Sequence, residues 1–163
     1  MFKTPYEDFV LRQIRVVAEM LARIFRLRTD GKLEHARAEL KRAYALLAGP
    51  QAPLIRQLDS ATAAMLLRHP ESISTFAHLL CEEAALLEDA TQAGALWLRA
   101  MELCLECEAK SPGIPAVHDL IRSLVPLTDP TQLAPGYRAG LNRVVSGGPQ
   151  TSPDAPPADR HDA

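Results

Sequence analysis

The chain has 163 residues, of which 47% are hydrophobic and 23% charged, with a net charge of −2. Its mean hydropathy lies near zero, at −0.06. This is ordinary globular material for one core, and it excludes a disulfide-built miniprotein, a charge-dominated disordered chain and a strongly basic nucleic-acid binder.

Charge is unevenly spread: residues 1–50 hold ten Lys or Arg against six acids, and residues 51–163 hold eight against fourteen. A difference of this size is smaller than a nucleic-acid footprint, and the basic half fits the acidic half of its own fold equally well. Arg and Glu interrupt every apolar run before about 18 residues, so no membrane span is expected. Glu7 and Asp8 stand where a signal peptide would carry a basic start, and three cysteines make no disulfide framework. A cytoplasmic, reducing setting is the expectation.

The first helix starts at Thr4-Pro5-Tyr6-Glu7, which supplies a hydroxyl N-cap, a proline at the first helical position and the glutamate of a capping box. Val10, Ile14, Val17, Leu21 and Ile24 give it one apolar face as far as about residue 28. Phe9, Val16, Met20 and Leu27 widen that face, and the excess would also bury a second copy, giving a homodimer. The opposite face carries Arg12, Arg15, Glu19, Arg23 and Arg26. Pairing of Glu19 with Arg15 and Arg23 is expected, and the four arginines are the candidate partner-binding residues.

Asp30-Gly31 ends this helix, because glycine takes the left-handed conformation of a helix C-cap. A second helix over 32–48 presents Leu33, Ala36, Leu40, Ala43 and Leu47, and the short link makes the two an antiparallel hairpin. Short apolar helices follow over 53–59 and 60–68. Pro70 opens a longer one whose stripe is Ile73, Ala77, Leu80, Ala84 and Leu87, with His69 as a substitute cap. The Asp89-Ala90-Thr91-Gln92 box joins it to a helix over 91–108, so these two form a second hairpin.

That 91–108 helix is apolar over most of its circumference. At about 100° per residue, Ala93, Trp97, Ala100, Cys104 and Cys107 share a stripe flanked by Leu96 and Leu103 on one side and Leu98, Met101 and Leu105 on the other. Only Gln92, Arg99, Glu102 and Glu106 form a strip for water, so at least two helices must cover the rest. Pro115 begins a shorter helix to about residue 125. Pro135 and Gly136 are expected to interrupt the next start, leaving a helix over about 137–145. From 146 to 163 the chain is Gly, Pro, Ser, Asp and Ala without an apolar period, which predicts a disordered tail after a helical domain over 1–145.

Two constellations could be chemistry. His78-Leu79-Leu80-Cys81 and Cys104-Leu105-Glu106-Cys107 have metal-ligand spacing, but antiparallel pairing about Asp89 puts Cys107 roughly two turns, about 9–10 Å, from Cys81. Cysteines continuing a core stripe act as small hydrophobes, and a Cys-x-x-Cys at a helix C-terminal end lacks the dipole that activates thiols. The carboxylates Glu82, Glu83, Glu88, Asp89, Glu102, Glu106 and Glu108 cluster around the second hairpin and are expected to be solvated. His35, His69 and His118 have no partner at helical spacing. No phosphate loop, H-E-x-x-H or G-x-S-x-G pattern occurs, so neither catalytic residue nor cofactor is expected.

After Gly31, residues Ala36, Leu40 and Ala43 alternate small and large at intervals of four and three, and Ala93, Trp97 and Ala100 repeat that spacing 57 residues later. The small residues admit a partner helix while the large one fills the groove. This resembles the second helix of a tetratricopeptide repeat, although the first-helix Trp-Leu-Gly-Tyr pattern is missing and the third unit is incomplete. Residues 8–14, Leu21-Ala22-Arg23-Ile24, Gly31 and Ala36, in that order, resemble a small bacterial family of tetratricopeptide-like proteins, itself uncharacterised, over residues 6–125. The resemblance implies an all-α array of antiparallel helical hairpins, right-handed in the tetratricopeptide manner, that binds proteins or peptides on a groove formed by the first helices. A non-catalytic protein-interaction or assembly module is therefore the first functional reading. A metal-binding or redox-sensing protein using Cys81, Cys104 and Cys107 is the second. Binding of nucleic acid or an acidic partner through the arginine stripe is the third.

Overall fold

The computed structural model describes residues 4–147, and among them all regular structure is helical. Helices α1 (Pro5–Thr29) and α2 (Leu33–Ala48) are followed by the short α3 (Ala52–Gln57) and α4 (Ser60–Leu67). Then come α5 (Pro70–Ala85), α6 (Ala90–Lys110), α7 (Pro115–Leu124) and α8 (Pro135–Ser146). No helix among the described residues is long and apolar enough to cross a membrane. The expected tail over 146–163 begins with Ser146, which closes α8, and from 148 onward lies outside the described residues.

The helix ends follow the capping chemistry. Glu7 N–H donates to Thr4 Oγ1 at 3.2 Å while Thr4 N–H donates to Glu7 Oε2 at 2.9 Å. Gly31 takes φ +74, and Lys32 N–H reaches back to Leu27 O at 2.8 Å, so α1 ends where glycine alone is at ease. Gln92 N–H donates to Asp89 Oδ1 at 2.9 Å at the start of α6. His69 occupies the N-cap of α5 without a side-chain capping bond; its ring lies 6.0 Å from that of Tyr6. Pro135 does not interrupt its helix as expected. It is the first residue of α8, where its missing N–H has no bond to lose.

Helices α1 and α2 pack as one hairpin and α5 and α6 as another. Tyr6 of α1 lies beside His69 at the start of α5, and Arg28 Nε donates to Glu82 Oε2 near its end at 3.1 Å, so α1 and α5 run parallel. Helix α5 packs on α1, α2, α4 and α6 together. It buries Ser72, Ile73, Thr75, Phe76, Ala77, Leu79, Leu80 and Ala84 and joins both hairpins in one core. Of the α1 stripe, only Val17 and Ile24 are fully buried, while Val10, Ile14 and Leu21 are half-buried, and α1 with 25 residues is longer than α2 with 16. At about 1.5 Å per residue, α1 outruns its partner by roughly 13 Å.

Helix α6 packs against α4, α5, α7 and α8. Ala93, Ala100, Met101, Leu103, Cys104, Leu105 and Cys107 are buried, while Trp97, near the less covered start, is half-buried. The polar strip is not left to water as the periodicity suggests. Arg99 Nη2 donates to Ile55 O at 3.0 Å, Ser60 Oγ to Glu102 Oε2 at 2.5 Å and Tyr137 OH to Glu106 Oε1 at 2.7 Å. Neighbouring helices thus cover the spine while giving Arg99, Glu102 and Glu106 a partner each; Gln92 stays exposed, and Nε of Arg99 is buried without a hydrogen bond. Two substitutions test this enclosure by urea denaturation. Phe76→Ala, at a position with no solvent exposure, should destabilise the fold by about 3–5 kcal/mol. Asp89→Ala should lose only the cap, about 1 kcal/mol; the opposite order would show that α5 is not central.

Candidate binding surfaces

The arginine stripe divides in the folded chain. Arg12, Arg15 and Arg26 are exposed and, among the described residues, form no ion pair within 4.0 Å. Arg23 Nη1 instead lies 2.9 Å from Oε1 of Glu39 on α2, a carboxylate only 7% exposed that Arg42 also approaches at 3.4 Å. The expected pairs with Glu19 do not form among the described residues. Arg23 is thereby a tie within the first hairpin. Of the apolar residues that widen α1, Met20 and Leu27 pack against the core, whereas Phe9 and Val16 stay exposed, as do Tyr6 and Phe25.

The thiols and His78 are separated. His78 is exposed, Cys81 half-buried, and Cys104 and Cys107 buried. Cys107 Sγ donates to Pro70 O at 3.4 Å, at the far end of α5 from Cys81. Among the described residues no three His, Cys, Asp or Glu side chains converge on one point where an ion could sit. Burial, reinforced by Glu82, pushes the Cys81 thiol up to about 12. Burial pushes Cys107 up to about 11 and Cys104 well above its ordinary value. Both metal ligation and redox exchange use the thiolate, which these surroundings disfavour.

The acidic cluster disperses into ties between helices. Glu82 meets Arg28, Glu102 meets Ser60, and Glu106 meets Tyr137. Glu108 accepts from Gly113 N–H at 3.1 Å, and its Oε2 lies 2.9 Å from Nε2 of His118, a buried nitrogen that makes no hydrogen bond among the described residues. Glu88 is the exposed exception beside the cap residue Asp89.

Glu83 organises a groove of about 880 Å³ between α2, α3 and the end of α5. Tyr44 OH donates to Glu83 Oε2 at 2.7 Å, and Arg56 Nη2 donates to the other carboxylate oxygen. The Arg56 guanidinium stands 5.1 Å over the Tyr44 ring, which packs at 5.2 Å on Phe76. Burial and the adjacent Glu83 carboxylate push the Tyr44 phenol far up, so it acts only as a donor. Gly49 makes this possible: at φ +59 it turns the chain back so that α3 carries Arg56 onto α2. Arg37 Nη2 donates to Leu86 O at 3.2 Å on the rim, and exposed Lys41 forms no ion pair among the described residues. Leu40, Ala45, Leu86 and Leu87 supply apolar wall. Three cations and one carboxylate thus line the groove: Arg56 pairs with Glu83, Arg37 also pairs with Glu34 outside it, and Lys41 is the cation without an ion pair among the described residues.

Glu83 was legible only as a member of the acidic cluster and Leu40 and Leu87 only as stripe residues; Tyr44 and Arg56 did not stand out, because the three polar residues come from three helices at no fixed spacing. The weak signal was Arg37, Lys41 and Tyr44 at i, i+4, i+7 on the polar side of α2.

No protein-family model, curated protein or solved structure matches this chain.

The raised thiols fix the sign of one pH effect. An unfolded thiol ionises near about 8.5, whereas Cys81 and Cys107 in the fold hold their protons to about 12 and about 11. Above the unfolded value the folded state binds more protons, so stability falls as pH rises through that window and is undiminished below it. Denaturation followed against pH should show this decline, flattened in Cys104→Ala. Iodoacetamide at pH 8 should alkylate the native thiols far more slowly than the unfolded ones; equal rates would contradict their burial.

Proposed function

We propose that the chain is a non-catalytic, tetratricopeptide-like interaction module, and that it holds an acidic segment of a protein partner in the groove between α2, α3 and α5. The array is supported by the two hairpins and by the parallel course of α1 and α5. Small residues also sit where such an array needs them: Ala36, Ala43, Ala93 and Ala100 are buried at the close approaches.

One observation carries the choice of groove: Arg37, Lys41 and Arg56 rim an apolar-walled concavity whose one carboxylate, Glu83, is already bonded to Tyr44 and Arg56. Such a surface complements an acidic chain with a bulky apolar residue among its carboxylates. The arginines of α1 offer charge on a convex helix with no comparable recess, so Arg12, Arg15 and Arg26 would act through steering rather than through a bound pose.

Lys41→Glu separates the two faces, since Lys41 supports no contact of the fold. A random peptide display library panned on the full chain should enrich sequences combining Asp or Glu with Leu, Ile or Phe. Affinity for an enriched peptide should drop about ten-fold or more, roughly 1.4 kcal/mol, in Lys41→Glu and stay unchanged in Arg12→Glu. Loss in Arg12→Glu alone moves the interface to α1. Absence of any enriched peptide overturns the reading.

A further inference from the structure

A second concavity lies on the other side of the junction between α2 and α3, where the overhang of α1 meets the end of α2 and the corner between α4 and α5. It measures about 350 Å³, at the small end of the roughly 300–1,000 Å³ found for small-molecule sites. Val10, Ile14 and Leu47 line it with apolar surface, and Gln13, Gln51, Arg68 and Ser72 supply the polar groups. No Asp or Glu lines it.

Two features set this cavity apart from a packing gap. Arg68 stands at φ 63, ψ −58, the one residue other than glycine with positive φ among those described. His69 N–H donates across it to Leu67 O at 2.7 Å, closing a three-residue γ-turn of the strained hand that L-residues rarely adopt. A glycine would relieve the turn, yet the position carries the exposed guanidinium at the cavity. The second feature is Ser72, only 5% exposed, whose hydroxyl has no hydrogen-bond partner among the described residues. Thr75, on the same helix, returns its hydroxyl to Glu71 O at 2.6 Å. Ser72 stands in the first turn of α5, where no helical carbonyl lies four residues back, and its hydroxyl is left open to the cavity.

The geometry points to a binding site for a small organic monocarboxylate with an apolar body, its carboxylate held by Arg68 and Ser72 and its body against Val10, Ile14 and Leu47. One permanent cation matches one negative charge, and a guanidinium and a hydroxyl lining the same cavity supply directed donors that a carboxylate accepts. The glutamine amides complete the rim. This site is separate from the peptide groove and independent of it.

Hexanoate, with hexanamide as its uncharged counterpart, is the probe. Titrated calorimetrically into the full chain, hexanoate should bind saturably and raise the thermal midpoint, and hexanamide should do neither. Arg68→Gly removes the guanidinium and the strain together, so the unliganded variant should melt at or above the parent temperature while hexanoate affinity falls about ten-fold or more. Ser72→Ala, which leaves the turn alone, should weaken hexanoate several-fold with an unchanged helical spectrum. The proposal is overturned if the acid and the amide behave alike, if neither binds, or if both variants keep the parent affinity. Should Arg68→Gly fail to fold, the acid–amide comparison and Ser72→Ala still decide.

Discussion

The enclosure of α5 is the constraint on which the rest of the molecule depends. A helix that touches α1, α2, α4 and α6 at once has little circumference left for water. Its large side chains, Ile73, Phe76, Leu79 and Leu80, are essentially without solvent contact. Close packing on all sides leaves such a helix no freedom to rotate or slide without opening voids, so it fixes the two hairpins relative to each other. Both concavities are consequences. One lies where α3 folds over the end of α5, and the other where α1 runs past α2 along its beginning.

Polar side chains then settle the angles between helices. Glu39, Glu82, Glu83, Glu102 and Glu106 each accept from a residue on a different helix. Their value lies less in net stability, because partly exposed pairs contribute modestly, than in the loss incurred if one partner is absent. An arrangement that leaves any of these carboxylates half-covered and unpaired is disfavoured, and the alternatives to the observed packing are thereby reduced. Glu83 also sets the character of the groove: by engaging Arg56 over the Tyr44 ring it offsets its own charge, and Lys41 is left on the rim without an ion pair among the described residues.

Local chemistry made much of the helical plan legible in the sequence. Thr4, Gly31, Asp89 and Pro115 mark ends of helices through hydrogen bonds or φ values that depend on neighbours a few residues away. The stripes of α2 and α6 were equally readable from their period. What could not be read was which polar faces meet: Glu102 and Glu106 look like water-facing residues until α4 and α8 arrive with Ser60 and Tyr137. Arg23 has Glu19 one turn away and still chooses Glu39. Pro135 was ambiguous because proline both starts and stops helices, and only the covered α6 beside it selects the start. The Tyr44, Arg56 and Glu83 constellation and the γ-turn at Arg68 are products of long-range folding, and a one-dimensional pattern contains neither.

The difference in length between α1 and α2 has a mechanical meaning. The first turns of α1 extend past the end of α2 toward the corner between α4 and α5, and with Tyr6 and Phe9 exposed they bury less than the turns around Val17 and Ile24. An occupant of the smaller cavity would touch these turns and that corner at once, and would tie the start of α1 to the body of the molecule.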